Sequence, residues 1–162
     1  MKFERRIKVD IAKQELTLYQ GGKLVSSYPV STSKDGPGEE MGSGRTPRGL
    51  HSVRIKIGDG LPINSVFVGR RPTGEIYTPE LGANNPDRDW ILTRIIWLTG
   101  LESDRNRGGN CDTLRRFIYI HGCPDSEPMG VPASHGCIRM RNSDLLDLFD
   151  LVDRDTLVEI VA

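Results

Sequence analysis

Two short blocks hold most of the reactive side chains of this 162-residue chain: His121-Gly122-Cys123 and Ser134-His135-Gly136-Cys137-Ile138-Arg139. Two of the three histidines and two of the three cysteines fall within this one stretch. A thiol attacks a carbonyl as thiolate, and an isolated cysteine is mostly protonated near neutral pH. A neighbouring imidazole can take that proton. His121 ends a predicted strand, a rigid place to hold a base, and His135 lies two residues before Cys137. Gly136 suggests a tight turn that exposes Cys137 and aims consecutive backbone N–H groups outward, where they can hold an oxyanion. Arg139 is a fixed cation suited to gripping a substrate carboxylate bidentately. The pattern points to acyl transfer on Cys137, with His121 as its base.

Blander chemistries compete for the same residues. A single buried cysteine is usually an inert small hydrophobe, and a single histidine is usually a structural hydrogen-bonder; the clustering is what favours catalysis. His121-x-Cys123 and His135-x-Cys137 also form a His₂Cys₂ set that a structural zinc could use. The single intervening residue in each pair is shorter than such sites typically employ, so no metal is expected. Cys123 and Cys137 as a redox pair is a further alternative, and Cys111, in a polar loop, reads as incidental.

The elements that must position these groups are mostly strands. Ile7 to Ile11, Glu15 to Tyr19 and Leu24 to Thr32 alternate apolar and polar residues, with Gln20-Gly21-Gly22-Lys23 as a hairpin turn between the last two. Residues 33–44 read as a loop rich in Gly, Ser and charge. Leu50 to Ile57 alternates again, Val66 to Val68 is a short strand, and Trp90 to Leu98 is a strand of bulky and β-branched residues. Between them, residues 70–89 form a long Pro- and Gly-containing excursion of the kind that is often functional. Phe117 to Ile120 leads as a strand into His121. One helix follows, with Ser143 as its cap, Asp144 near its positive end and Leu145, Leu148, Phe149 and Val152 at helical spacing. Thr156 to Val161 closes the chain as a strand. The fold class is mainly β with one principal helix, a sandwich or partly open barrel, in a single domain over residues 1–162.

Composition narrows the function. Hydrophobic residues make up 36% and charged residues 27%, and 22 Lys and Arg balance 22 Asp and Glu. That balance gives no basic face for nucleic acid, and no apolar run approaches a membrane span. The opening Met1 to Lys8 is basic but lacks the apolar core of a secretion signal, so the expectation is a cytoplasmic protein, or a periplasmic one if the chain is a trimmed form. An odd cysteine count without an export signal favours reduced thiols.

The blocks closely resemble the signature of the L,D-transpeptidase (YkuD-like) catalytic domain: a histidine, a variable loop, then Ser/Thr-His-Gly-Cys, an apolar residue and Arg or Asn. Ile120-His121-Gly122, the Gly130-containing loop and Ser134 to Arg139 carry that pattern. Thr46-Pro47-Arg48-Gly49, Asn142-Ser143-Asp144 ahead of the helix, and the opening Val9 to Val30 hairpins agree with it. The resemblance implies a β-sandwich-like catalytic fold, no cofactor, and peptidoglycan stem tetrapeptides or muropeptides as substrates. It implies Cys137 as nucleophile, His121 as general base, the Gly122 carbonyl orienting the imidazole, and N–H groups around Gly136 and Cys137 as oxyanion hole. His135 and Ser134 would shape the site, and Arg139 would support it or bind a carboxylate. Cys123 departs from the small hydroxyl residue usual there. Cys137 would attack the diaminopimelate carbonyl ahead of a terminal D-alanine, and sensitivity to carbapenems would follow. A cytoplasmic member would meet soluble tetrapeptides, so hydrolysis in peptidoglycan recycling is expected, with 3→3 cross-linking or D-amino-acid exchange as the alternative.

Overall fold

The computed structural model describes residues 4–162; the expectation resting on Met1, Lys2 and Phe3 lies outside the described residues. Alternation sets the first strands. In β1 (Arg5–Asp10) and β2 (Glu15–Gln20), Ile7, Val9, Leu16 and Leu18 are fully buried, and they face one another as Ile7 with Leu18 and Val9 with Leu16. Gly21 and Gly22, at φ 57° and 81°, make the two-residue turn into β3 (Lys23–Ser31). Both angles are positive, as a primed hairpin turn requires.

Seven more strands follow: β4 (Gly49–Ile57), β5 (Ser65–Val68), β6 (Arg71–Ile76), β7 (Ile91–Gly100), β8 (Tyr119–Gly122), β9 (Ile138–Met140) and β10 (Leu157–Val161). All ten share one sheet, in the order β4-β10-β1-β2-β3-β9-β8-β7-β5-β6. β4 also pairs with β7, so eight strands close on themselves and the β5–β6 hairpin hangs from β7. The interior holds Ile96, Leu98, Ile120, Ile138 and Met140 together with Leu145, Leu148 and Phe149 of the helix α2 (Asn142–Leu151). Each such side chain contributes about 1.5–3 kcal/mol on burial. The result is the expected mainly β fold with one principal helix.

Four local expectations need correcting. The strand before His121 runs Tyr119–Gly122 rather than from Phe117, because Phe117 has φ 57° and a half-exposed ring that packs on Trp97, 5.9 Å between centroids. His121 therefore lies inside a strand. Ser143 does not cap α2: the helix starts at Asn142 after an extended Arg141, without a side-chain cap bond. Asn142 itself is buried, and its amide donates to the Cys123 carbonyl at 2.9 Å and accepts from Thr93 Oγ1 at 2.6 Å. Residues 70–89 are not a bare loop; they form β6 and a short helix, α1 (Pro79–Asn84), started by Thr78, whose Oγ1 accepts the Leu81 N–H.

The third histidine is structural. His51, fully buried in β4, donates from Nδ1 to the Gly49 carbonyl at 3.0 Å and accepts at Nε2 from Thr113 Oγ1 at 3.0 Å. Burial pushes it down to about 4, and burial pushes His121 likewise to about 4. Both stay neutral in the fold, whereas an unfolded chain protonates them near pH 6.5. Stability is thus complete above pH 6.5 and falls as the pH drops towards 4, by roughly 3 kcal/mol for each histidine. Urea titrations at pH 7 and pH 4.5 should show this loss, with about half of it missing in His51→Gln.

Candidate active site

The parity of two strands builds the site. β8 and β9 pair in parallel, with Ile120 opposite Ile138 and His121 opposite Arg139. The isoleucines face the core, so His121 and Arg139 face the other way; Tyr119, two residues earlier on β8, shares that face, and Cys137, just ahead of β9, opens on the same cavity. This face floors a cavity of about 300 Å³ lined by Cys137, His121, Tyr119, His135, Ser134, Arg139 and, from other elements, Arg70, Asp89 and Arg116.

His121 is 2% exposed. Its Nδ1 lies 2.6 Å from the Gly122 carbonyl. A carbonyl only accepts, so Nδ1 carries the proton and Nε2 keeps its lone pair. With burial holding the imidazole near 4, the ring at neutral pH is an uncharged base of fixed tautomer. Gly122 is glycine for a steric reason: a Cβ there would lie 2.2 Å from Asn142 Oδ1 and 2.7 Å from the Leu92 carbonyl.

Cys137 is partly exposed at the cavity. Its thiol donates to the Phe117 carbonyl at 3.3 Å and accepts the Tyr119 N–H at 3.3 Å. Burial pushes the thiol up to about 11, against the opposing Tyr119 hydrogen bond. The resting pair is therefore thiol and imidazole, not thiolate and imidazolium. Iodoacetamide alkylation of Cys137 should accordingly be slow at pH 7 and climb through the alkaline range, with an apparent pKa above the 8.5 or so of a free cysteine. A rate already flat from about pH 6 would contradict this.

The turn before Cys137 is held from several sides. Gly136 has φ 127°, and its carbonyl accepts from Thr46 Oγ1 at 2.9 Å. Thr46 Oγ1 also accepts the Ser33 N–H at 3.0 Å, so the Thr-Pro-x-Gly segment braces the loop directly. Ser134 is buried, accepts the Gly136 N–H at 3.2 Å and donates to the Cys137 carbonyl at 2.6 Å. Its hydroxyl is thus engaged by the turn, and so is the Gly136 N–H.

Sequence reasoning missed Asp89, which closes the 70–89 segment and reaches the cavity. Its Oδ1 is 3.4 Å from Arg139 Nη2 and 3.9 Å from His135 Nδ1. Arg139 is 7% exposed and also meets Glu127 at 3.6 Å and the Ala133 carbonyl at 3.3 Å. The carboxylates it grips are the chain's own. His135 is exposed and makes only that longer approach to Asp89 among the described residues. Arg48, unassigned by sequence, is a bidentate partner of Glu39 at 3.1 and 3.0 Å. No local spacing pattern announces Asp89 or Arg70; the one clue was the length of the excursion that carries them.

Cys123 lies beneath the site, buried, with burial pushing its thiol up to about 12. Its Sγ donates to the Met140 carbonyl at 3.6 Å, and all three cysteines are free thiols. Among the described residues no three His, Cys, Asp or Glu side chains converge as metal ligands, so the zinc alternative has no support. Among those residues, too, no helix is long and apolar enough to cross a membrane.

Comparison with known proteins places the chain in a family. The family described as the L,D-transpeptidase catalytic domain matches residues 4–160. The Bacillus licheniformis protein YkuD is 26% identical over 155 residues, which cover 96% of this chain and 64% of that protein. Escherichia coli YbiS is 27% identical over 124 residues, covering 71% of this chain and 40% of its own length. The chain thus spans less than two thirds of either relative. Among solved structures, L,D-transpeptidase 3 from Mycobacterium tuberculosis in complex with a faropenem-derived adduct superposes with a TM-score of 0.61 at 18% identity, over 99% of this chain and 61% of that one. At that identity the likeness is one of fold.

Proposed function

From the premise that the chain belongs to the L,D-transpeptidase catalytic-domain family, we propose that it is a cysteine acyl-transfer enzyme acting on peptidoglycan stem tetrapeptides, with water as acceptor. The observation that carries the reading is the neutral His121, its Nδ1–H tied to the Gly122 carbonyl at 2.6 Å, sharing one cavity with the Cys137 thiol.

Cys137 Sγ attacks the diaminopimelate carbonyl that precedes the terminal D-alanine, and the thiol proton passes to His121 Nε2. The S–C bond forms, and the tetrahedral oxyanion is held by the Cys137 N–H, since the Gly136 N–H is already taken by Ser134 Oγ. On collapse the C–N bond breaks and D-alanine leaves with the proton from the imidazolium. The remaining thioester is then opened by water, activated by the same Nε2. A cavity of about 300 Å³ is at the small end for ligand pockets. It suits one peptide end and a water better than two peptides, which favours release of D-alanine over cross-linking. Acylation of Cys137 by a carbapenem belongs to the same reading. So does a cytoplasmic, recycling setting, which cell fractionation tests: a processed, exported protein contradicts the setting while leaving the chemistry intact.

The acceptor is tested by incubating the protein with a disaccharide-tetrapeptide and reading products by mass spectrometry. Loss of one alanine is the expected result. Cross-linked dimers, or exchange of an added D-amino acid, would move the assignment to transpeptidation, and unchanged substrate would overturn the substrate class.

A further inference from the structure

Three arginines line the cavity, and two are engaged. Arg139 is held by Asp89 and Glu127. Arg116 donates to the Gly38 carbonyl at 3.2 Å, to Ser43 Oγ at 3.3 Å and to the Arg45 carbonyl at 2.5 Å, which ties the loop beside the nucleophile in place. Arg70 is different. It forms no ion pair among the described residues, and its one hydrogen bond is a long one, from Nη1 to Tyr119 Oη at 3.4 Å. Its guanidinium lies 4.7 Å from the centre of the Phe117 ring and 5.2 Å from that of Trp97. Aromatic faces fix the plane of a guanidinium while leaving its N–H edge free to bind.

The backbone adds a second observation. Val68 pairs with Arg71, so Gly69 and Arg70 are the two turn residues of the β5–β6 hairpin, at φ 56° and 66°. Such a turn favours Asn-Gly or Gly-Gly, and a long side chain in the left-handed region is strained. A strained position occupied by an arginine that stacks, faces the cavity and lacks a counter-ion indicates a binding role. Tyr119 supplies both the Arg70 contact and the N–H on the Cys137 sulfur. The free cation therefore stands one residue's side chain away from the nucleophile.

We propose that Arg70 is a specificity-determining residue that binds a carboxylate of the acyl-donor peptide and so sets the scissile carbonyl over Cys137. This rests on the peptide acyl-transfer reading above. Two carboxylates flank that carbonyl: the α-carboxylate of the terminal D-alanine and the side-chain carboxylate of diaminopimelate.

The test compares wild type, Arg70→Gln and Arg70→Lys on three tetrapeptides: unmodified, amidated at the terminal carboxylate, and amidated at the diaminopimelate side chain. On unmodified peptide, Arg70→Gln should lose about tenfold or more in kcat/KM, mainly through KM, with Arg70→Lys in between. Wild type should lose the same factor on one amidated peptide, which identifies the carboxylate, and Arg70→Gln should lose nothing further on that peptide. A kcat/KM for Arg70→Gln within twofold of wild type on unmodified peptide overturns the proposal. If wild type turns over none of the peptides, the acyl-transfer reading fails instead. Arg70 is then judged by tetrapeptide affinity for Cys137→Ala against Cys137→Ala/Arg70→Gln, where equal affinities overturn it and a loss of about tenfold sustains it.

Discussion

Replacing His121 with alanine should slow acylation of Cys137 by a stem tetrapeptide about a thousandfold at pH 7, within the range that a positioned base contributes. The size follows from the resting state. Burial holds the Cys137 thiol up at about 11, so almost no thiolate exists at neutral pH without a partner to take the proton. His121 is a base whose proton sits on Nδ1, locked by the Gly122 carbonyl, and which burial keeps uncharged near neutral pH. His135 cannot replace it in this account, since it is exposed and turned towards Asp89 at 3.9 Å; His135→Ala should cost about tenfold or less. Stopped-flow acylation separates the two. The control is alkylation by iodoacetamide above pH 10, where hydroxide ionises the thiol directly. There His121→Ala and wild type should converge, and a persistent large gap would mean that the substitution had damaged the site rather than removed a base.

The second large effect is on stability. Gly122→Ala should destabilise the protein by about 3 kcal/mol or more. The added methyl would lie 2.2 Å from Asn142 Oδ1 and 2.7 Å from the Leu92 carbonyl. Neither can retreat cheaply: Leu92 is backbone in the ladder with β8, and Asn142 is tied to Cys123, Thr93 and Asn64. Relief would require α2 to move off the end of β8, so the His121 tautomer lock would loosen with it. Gly60→Ala is the comparison, because its φ is 79° but nothing lies within 4 Å of the added carbon. It should cost about 1 kcal/mol, the backbone strain alone. Equal Tm losses for the two variants would contradict the steric argument.

The candidate nucleophile, its candidate base and most strands were legible because their signals are local. Ile7, Val9, Leu16 and Leu18 announce their face by alternation, and Gly21-Gly22 announces its turn. Cys137, His121 and Gly136 stand out by residue type within a short stretch. What was not legible depends on partners distant in sequence. Arg139 read as a ligand for substrate because its companions, Asp89 and Glu127, could not be seen. Asn142 anchors α2 through the Cys123 carbonyl and Thr93, whereas local capping rules pointed to Ser143. Arg70 acquires meaning only where a hairpin turn brings it against Tyr119, 49 residues later. In each case the contact is made by the sheet order, which no local pattern records.

One measurement bears most directly on the central claim, that acyl transfer runs through Cys137. Wild type and Cys137→Ala are each mixed with disaccharide-tetrapeptide, quenched in acid within the first turnover, and analysed by intact mass and peptide mapping. Wild type should gain the mass of the substrate less D-alanine, placed on Cys137 and released by hydroxylamine as a thioester is, while the variant should gain nothing and release no D-alanine. An adduct on another residue, or D-alanine release that persists in Cys137→Ala, would contradict it.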